Sequence, residues 1–132
     1  MAELLIPADD EVALVAGLKP VLGVQVGTRI PPGKVPKEFV RIVSLGGSPR
    51  DLVSDTFRLA VEAFADTEGR ARALCALAVA HAEAAGRSGS LGGVTCYDVA
   101  AEGLPGNLPL PSLPTHFRYT ATVAAALRRA SA

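Results

Sequence analysis

The sequence has no tryptophan, only 5% aromatic residues and no net charge, because 13 lysines and arginines balance 13 aspartates and glutamates. Neutralising phosphates requires a surplus of basic residues, so this balance argues against independent binding to nucleic acid. The scarcity of aromatic residues also removes the stacking platforms on which single strands bind. A chain without net charge is poorly protected from self-association, which is compatible with an oligomer.

Cysteine is scarce as well, because the chain contains only Cys75 and Cys96. These two residues form neither a Cys-x-x-Cys motif nor a Cys/His cluster. A structural zinc site is therefore not expected. Both thiols are interpreted as small buried apolar residues in a reducing compartment, although a disulfide between them stays open. No apolar run approaches the roughly 20 residues that span a bilayer. The N-terminus also lacks the basic and apolar regions of a signal peptide. We expect no cofactor, no metal and no membrane contact.

The 132 residues, of which 49% are hydrophobic, predict one globular domain over residues 1–132. Residues 1–8 are interpreted as an N-terminal arm. Residues 103–116 contain four prolines and are predicted to form an extended loop.

The longest regular pattern joins a strand to a helix between Asp51 and Gly86. Residues 51–65 alternate between an apolar face and a mixed face, which is typical of a strand with one well-buried side. The alternation stops at the N-cap residues Asp66 and Thr67, and an alanine-rich helix is predicted through Ala85. The other elements of the chain are expected to pack against this strand and helix and to complete the sheet and its core.

The remaining predicted elements are one helix and four strands. They are a helix from Asp9 or Asp10 to about Leu18 or Lys19, ended by Pro20 and Gly23, and strands at 24–30, 38–45, 94–102 and 117–129. The glycine-rich connection at 46–49 predicts a hairpin between strand 38–45 and the long strand. Residues 117–129 have the alanine content of a helix and the alternation of a strand, so this choice stays open. Strands that come in runs indicate an α+β fold, with two helices on one face of a mainly antiparallel or mixed sheet of four to five strands.

Residue types of a thiol catalytic site occur at Cys75, His81 and Asp98. However, Cys75 and His81 lie six residues apart on the predicted helix, about 600° around its axis, and so face roughly opposite sides. The surrounding alanines and leucine predict a raised thiol pKa. The glycine pairs do not match nucleotide-binding patterns. We therefore predict no enzymatic activity and no catalytic, cofactor or metal residues.

Four segments carry a family resemblance: VQVGTRIP after the first helix, KEFVRIVSLGGSPRDLVSD, FRLAVEAFADTEGRARALCALA and LPLPSLPTHFRYTATVAAALR. Together they resemble the tail terminator (tail completion) proteins of long-tailed bacteriophages, especially those infecting actinobacteria, and their prophage copies. Members show a similar proline-flanked ending, here Phe117-Arg118-Tyr119, which favours a strand over residues 117–129. The chain departs from the family in having Phe64 where members carry a tryptophan.

The resemblance implies a curved sheet and a structural role without catalysis. Such terminators form a hexameric ring on the end of the tail tube, stop its polymerisation and provide the joint to the head and neck. The implied partners are other copies of the chain, the major tail tube protein, a neck or head-completion protein, and genomic DNA that passes through the lumen without sequence-specific binding. The implied location is the tail or neck of the virion, after assembly in the host cytoplasm.

Two alternatives remain open: another head–tail connector or neck adaptor, and a small soluble α+β enzyme or ligand-binding domain. In a ring, the candidate contacts with neighbours are the loops PPGKVPK and GGSPRD and the proline-rich segment 103–116. A ring would also repeat each arginine around its axis, so that a modest inner charge is multiplied. The candidate interface or lumen residues are Lys34, Lys37, Arg41, Arg50, Arg58, Glu62 and Arg118.

Overall fold

The computed structural model describes residues 3–132, which form a six-stranded sheet, a separate two-stranded ribbon and two helices. In chain order, the elements are β1 (Leu5–Ile6), α1 (Asp10–Leu22), β2 (Gln25–Gly27), β3 (Phe39–Pro49), β4 (Ser54–Ala65), α2 (Glu68–Ser88), β5 (Ser90–Leu91), β6 (Val94–Asn107), β7 (Phe117–Arg128) and β8 (Ala130–Ser131). Both helices pack on one face of the sheet and share its core.

The strand order of the sheet is β2-β3-β4-β7-β6-β5. The four long strands alternate in direction, and β2 alone among the described strands runs parallel to its neighbour, β3. β1 pairs with β8 outside this sheet, so both ends of the described chain meet in one ribbon. The predicted α+β fold, a curled mixed sheet with two packed helices, is confirmed.

The predicted strand-to-helix unit is present as β4 and α2. The Thr67 hydroxyl accepts a hydrogen bond from the Arg70 amide, which caps α2 as the sequence indicates. α2 continues to Ser88, three residues beyond the predicted end, and Gly89 terminates it in a left-handed conformation with φ 86°. Leu59 and Val61 of β4 are fully buried beneath it, which confirms the apolar face of the strand.

The first helix is longer than predicted. Asp9 caps it, but α1 passes through Pro20 and ends at Leu22, before Gly23 at φ 69°. Pro20 lies in the last turn, so the ring removes one helical hydrogen bond there without breaking a long element. Burial of Leu18 and Leu22 against the sheet outweighs that loss.

The segment Gly46–Pro49 is part of β3 and not the predicted loop. β3 pairs with β4 in the predicted antiparallel hairpin, and the register shifts between Ser44 and Gly47. A Cβ atom on Gly47 would lie 2.1 Å from the Thr56 carbonyl oxygen, and Gly46 has φ 87°. These glycines therefore permit a β-bulge rather than ending the strand.

Two other boundaries also differ from the prediction. β2 covers only Gln25–Gly27 of the predicted strand 24–30, because its parallel pairing with β3 ends at Arg41. β6 continues to Asn107, so the first part of the predicted 103–116 loop is a strand. Pro105 is tolerated there because β6 is irregularly paired between Gly103 and Gly106 at an edge of the sheet.

The last long segment is β7, which confirms the predicted strand over residues 117–129. It pairs with β4 along its whole length, from Ser54 opposite Arg128 to Ala65 opposite Phe117. In the predicted N-terminal arm, Leu5 and Ile6 form β1, whereas Met1 and Ala2 lie outside the described residues.

Candidate assembly surfaces

A half-buried ion-pair cluster lies on the open face of the sheet, the face opposite the two helices. Its centre is Glu62, which is 6% exposed. Arg41 donates from Nε to one Glu62 carboxylate oxygen at 2.5 Å, and Arg118 donates from a terminal nitrogen to the other at 2.7 Å. Two guanidinium groups thus share one carboxylate, which gives the cluster one positive charge in excess.

Strand register brings these three residues together. Arg41 stands directly opposite Glu62 in the β3–β4 pair, and Thr120 stands opposite Glu62 in the β4–β7 pair. Arg118 lies two residues from Thr120 on the same face of β7, which places it diagonally across from Glu62. Since both carboxylate oxygens of Glu62 are engaged, this residue positions two arginines rather than offering an exposed contact.

Aromatic side chains lie beside the ion-pair cluster on the open face of the sheet. The rings of Phe39 and Phe64 stack with centroids 4.5 Å apart, and His116 meets Phe39 edge-on at 5.7 Å. His116 Nε2 also lies 2.8 Å from the Pro36 carbonyl oxygen. The loop at 31–37 and the segment before β7 therefore meet over the stacked rings, which are buried although they lie on the helix-free face.

Two of the three predicted contact loops, PPGKVPK and the last part of the segment 103–116, thus lie together at one end of the sheet. The third loop, GGSPRD, lies at the opposite end of the sheet, together with the two-stranded ribbon. Arg129, directly before β8, donates its amide to the carbonyl of Val53, which closely follows this loop, at 2.7 Å. Each end also exposes large apolar side chains. Leu108 and Phe117 are 54% and 42% exposed at the first end, and Leu52 is 90% exposed at the second.

The other four candidate residues do not join the central cluster. Lys34 is exposed in its loop. The remaining three each meet a partner of their own: Lys37 with Asp66 at 3.3 Å, Arg58 with Glu102 at 2.8 Å, and Arg50 over the Tyr97 ring at 4.9 Å. These are exposed contacts, which contribute little to stability and leave the basic groups accessible to a partner.

The sequence did not indicate two further groups of polar contacts, one beside the ribbon and one at the start of α1. Asp55, 4% exposed, accepts a bidentate interaction from Arg129 with a shortest distance of 2.7 Å, and this contact raises the pKa of Arg129. At the start of α1, Glu11 accepts from the Ser44 amide at 2.8 Å, and Asp10 accepts from the Ser44 hydroxyl at 2.6 Å. The sequence distances of 74 and 33 to 34 residues explain why no local pattern showed them.

The cysteines are buried and free. Burial raises the pKa of Cys75 to about 12 and also raises that of Cys96. The raised thiol pKa predicted for Cys75 is confirmed, and it disfavours the thiolate that nucleophilic chemistry requires.

Residues 3–132 contain no cluster of three or more histidine, cysteine or acidic side chains that is placed to hold a metal ion. In the same part of the chain, neither helix combines the length and hydropathy of a membrane span.

The structure defines an α+β protein with two helices on one face of a curled mixed sheet. It is similar to a chain from the virion of a native gene transfer agent particle, with a TM-score of 0.60 and 16% sequence identity. The similarity covers 89% of this chain and 93% of that chain. No protein-family model and no curated protein matches the sequence. At this identity, the likeness establishes a shared fold.

Proposed function

We propose that this chain is a structural protein of a phage-type virion, and that it acts as a tail terminator. In this role it forms a ring, a hexamer in the resembling family, on the end of the tail tube, stops tube growth and joins the tail to the neck. The observation that carries the proposal is the fold that 89% of this chain shares with a virion chain. The four segments that resemble tail terminators support the finer assignment, because they are distributed between residues 24 and 128.

The two ends of the sheet suit a joint between different partners. A ring between a tube and a neck needs two unlike axial faces, since one face must match the tube and the other must not. The proline-rich loops with Leu108 and Phe117 lie at one end, and the GGSPRD segment with Leu52 lies at the other. Exposed apolar side chains rimmed by polar residues are typical of protein contacts.

The open face suits the lumen of such a ring. It carries Arg41, Arg58 and Arg118, of which Arg58 is the most exposed. A neutral monomer gives little attraction for DNA, but repetition around an axis multiplies these positive groups. Contacts of this kind act on phosphates and carry no base preference, as passage of genomic DNA requires.

A second candidate is another neck adaptor. The exposed apolar groups at both ends of the sheet fit an adaptor between two other ring proteins as well. Tube capping separates the two candidates, because an adaptor does not halt polymerisation of the tube protein.

We expect purified chain to shorten tubes when it is added to the polymerising tail tube protein of the same virus, with rings visible at tube ends by electron microscopy. Substitutions at the two ends provide a matched pair: Leu52→Glu and Leu108→Glu. One of them should abolish capping and the other should leave it intact, because only one end faces the tube. Tubes that grow to the same lengths with and without the chain would count against a terminator.

A further inference from the structure

The two edges of the sheet differ in whether they can accept another strand. At the β3 edge, β2 pairs with residues 39–41 and Glu11 occupies the Ser44 amide. Beyond Ser44 the strand is bulged and ends at Pro49, which are features that blunt an edge. The β3 edge is therefore closed to further pairing.

Within residues 3–132, the β6 edge lacks an outer strand over most of its length, and its regular part is 98–101, because register shifts on either side and Pro105 interrupt the rest. β5 pairs only with Val94 and Thr95, and the Cys96 amide donates to the Gly89 carbonyl at 2.9 Å. From residue 97 to 107, no outer strand pairs with β6 among the described residues. Leu104 on this stretch is 84% exposed. The regular stretch 98–101 can therefore accept an added strand, and exposed Leu104 lies just beyond it.

The ribbon formed by β1 and β8 also lacks packing partners. Ile6 of the ribbon is 49% exposed, and Leu4, directly before the ribbon, is 73% exposed. A two-stranded ribbon is marginal in water by itself, yet this one is anchored at its base by the Asp55–Arg129 ion pair. The fold thus holds an apolar ribbon away from the core in a defined position.

We propose that, in the assembled ring, the ribbon of one copy adds to the β6 edge of the next copy. The inference rests on the proposed function, because it names the contact between copies in that ring. A ring requires a head-to-tail contact between two different surfaces of the same chain. The ribbon and the β6 edge are two such surfaces, and each supplies unpaired strand edge and exposed aliphatic side chains to the other.

The same copy cannot make this contact along most of β6. The start of β8 lies beside Val94 and Thr95, where they line a common cavity with Arg129 and Ala130. At about 3.3 Å per residue, Ala100 lies roughly 20 Å further along β6 and Leu104 roughly 33 Å. A cross-link from Ile6 to either position therefore reports a contact between copies.

Disulfide trapping tests this contact. One chain carries Ile6→Cys, and a second chain of distinguishable size carries Ala100→Cys or Leu104→Cys. Disulfides need Cα atoms within about 7 Å, and the two buried native thiols remain unreactive. The matched control is Leu77→Cys, which places a thiol on the outer surface of α2, where Leu77 is 48% exposed.

We expect a mixed cross-linked dimer with position 100 or 104 and none with position 77. An Ile6→Lys chain should remain folded by circular dichroism but lose ring formation on the tube. The proposal is overturned if neither β6 position cross-links, or if Ile6→Lys forms rings as readily as the unmodified chain. Rings that cap tubes without this cross-link would leave the terminator function standing, whereas uncapped tubes would contradict the function itself.

Discussion

Replacing Glu62 with glutamine should lower the free energy of unfolding by about 3 kcal/mol, because removing one partner of a buried ion pair leaves charge uncompensated. Arg41 and Arg118 would face each other with side chains only 23% and 16% exposed. Glutamine keeps the size of the side chain but supplies one neutral acceptor oxygen for two guanidinium groups. Urea unfolding followed by circular dichroism measures the change.

Glu102→Gln is the matched control for this loss. Glu102 pairs with Arg58 on the same open face, but their side chains are 41% and 59% exposed. Exposed pairs contribute about 0–1 kcal/mol, so this variant should remain close to the unmodified chain. Equal losses for both variants would show that burial of the central cluster does not govern its contribution.

Replacing Gly86 with alanine should destabilise the protein by about 2–3 kcal/mol, because the added methyl group overpacks a closed interface. A Cβ atom on Gly86 would lie 2.5 Å from the Val99 backbone nitrogen, so either α2 or β6 must move. The contact lies where α2 crosses β6, and the strand cannot shift without disturbing its pairing with β7. Thermal unfolding should show a lower midpoint.

Gly69→Ala provides a control on the same helix with the opposite expected sign. Nothing lies within 4 Å of a Cβ atom at Gly69, and the residue is exposed. Alanine there should stabilise the chain by about 0.5–1 kcal/mol through its better helix propensity and a less flexible unfolded state. A stabilised Gly86→Ala chain would mean that the close approach of α2 to β6 is not maintained in solution.

Local patterns predicted the elements that are regular along their own length. The alternation of residues 54–65 and the capped, alanine-rich run after Thr67 describe β4 and α2 because each has one dominant buried face. For residues 117–128, the residues favoured strand and helix equally. Pairing with β4 on one side and β6 on the other makes this segment a central strand in spite of its alanine content.

The wrongly predicted element boundaries share a physical cause. Glycine and proline do not always end a strand or helix when they lie at the edge of a sheet or in the last turn of a helix. Gly46 and Gly47 form a bulge within β3, and Pro105 sits in an irregular part of edge strand β6. Pro20 lies within the last turn of α1. From the local sequence alone, each of these residues predicts the end of a strand or helix. Contacts with neighbouring strands or with buried leucines stabilise the element beyond that residue.

The interface or lumen role of the candidate residues stays a prediction, and the sequence did not predict that three of them contact one another. Arg41, Glu62 and Arg118 were all selected as interface or lumen candidates, and the sheet brings them into one cluster. Their contact depends on the register of three strands: the β3–β4 pair contains a bulge, and the β4–β7 pair joins segments that are distant in the sequence. A shift of one residue would place Glu62 on the helix face, so the contact does not follow from sequence alone.

The length distribution of tails made in the absence of this chain is the most direct test of its function. The gene is deleted from the source virus, and tails are measured by electron microscopy beside a strain complemented with the unmodified gene. If the chain is a tail terminator, the deleted strain should make tails of abnormal and variable length that do not join to heads, and complementation should restore normal length. Tails of uniform, normal length joined to heads in the deleted strain would contradict the terminator role.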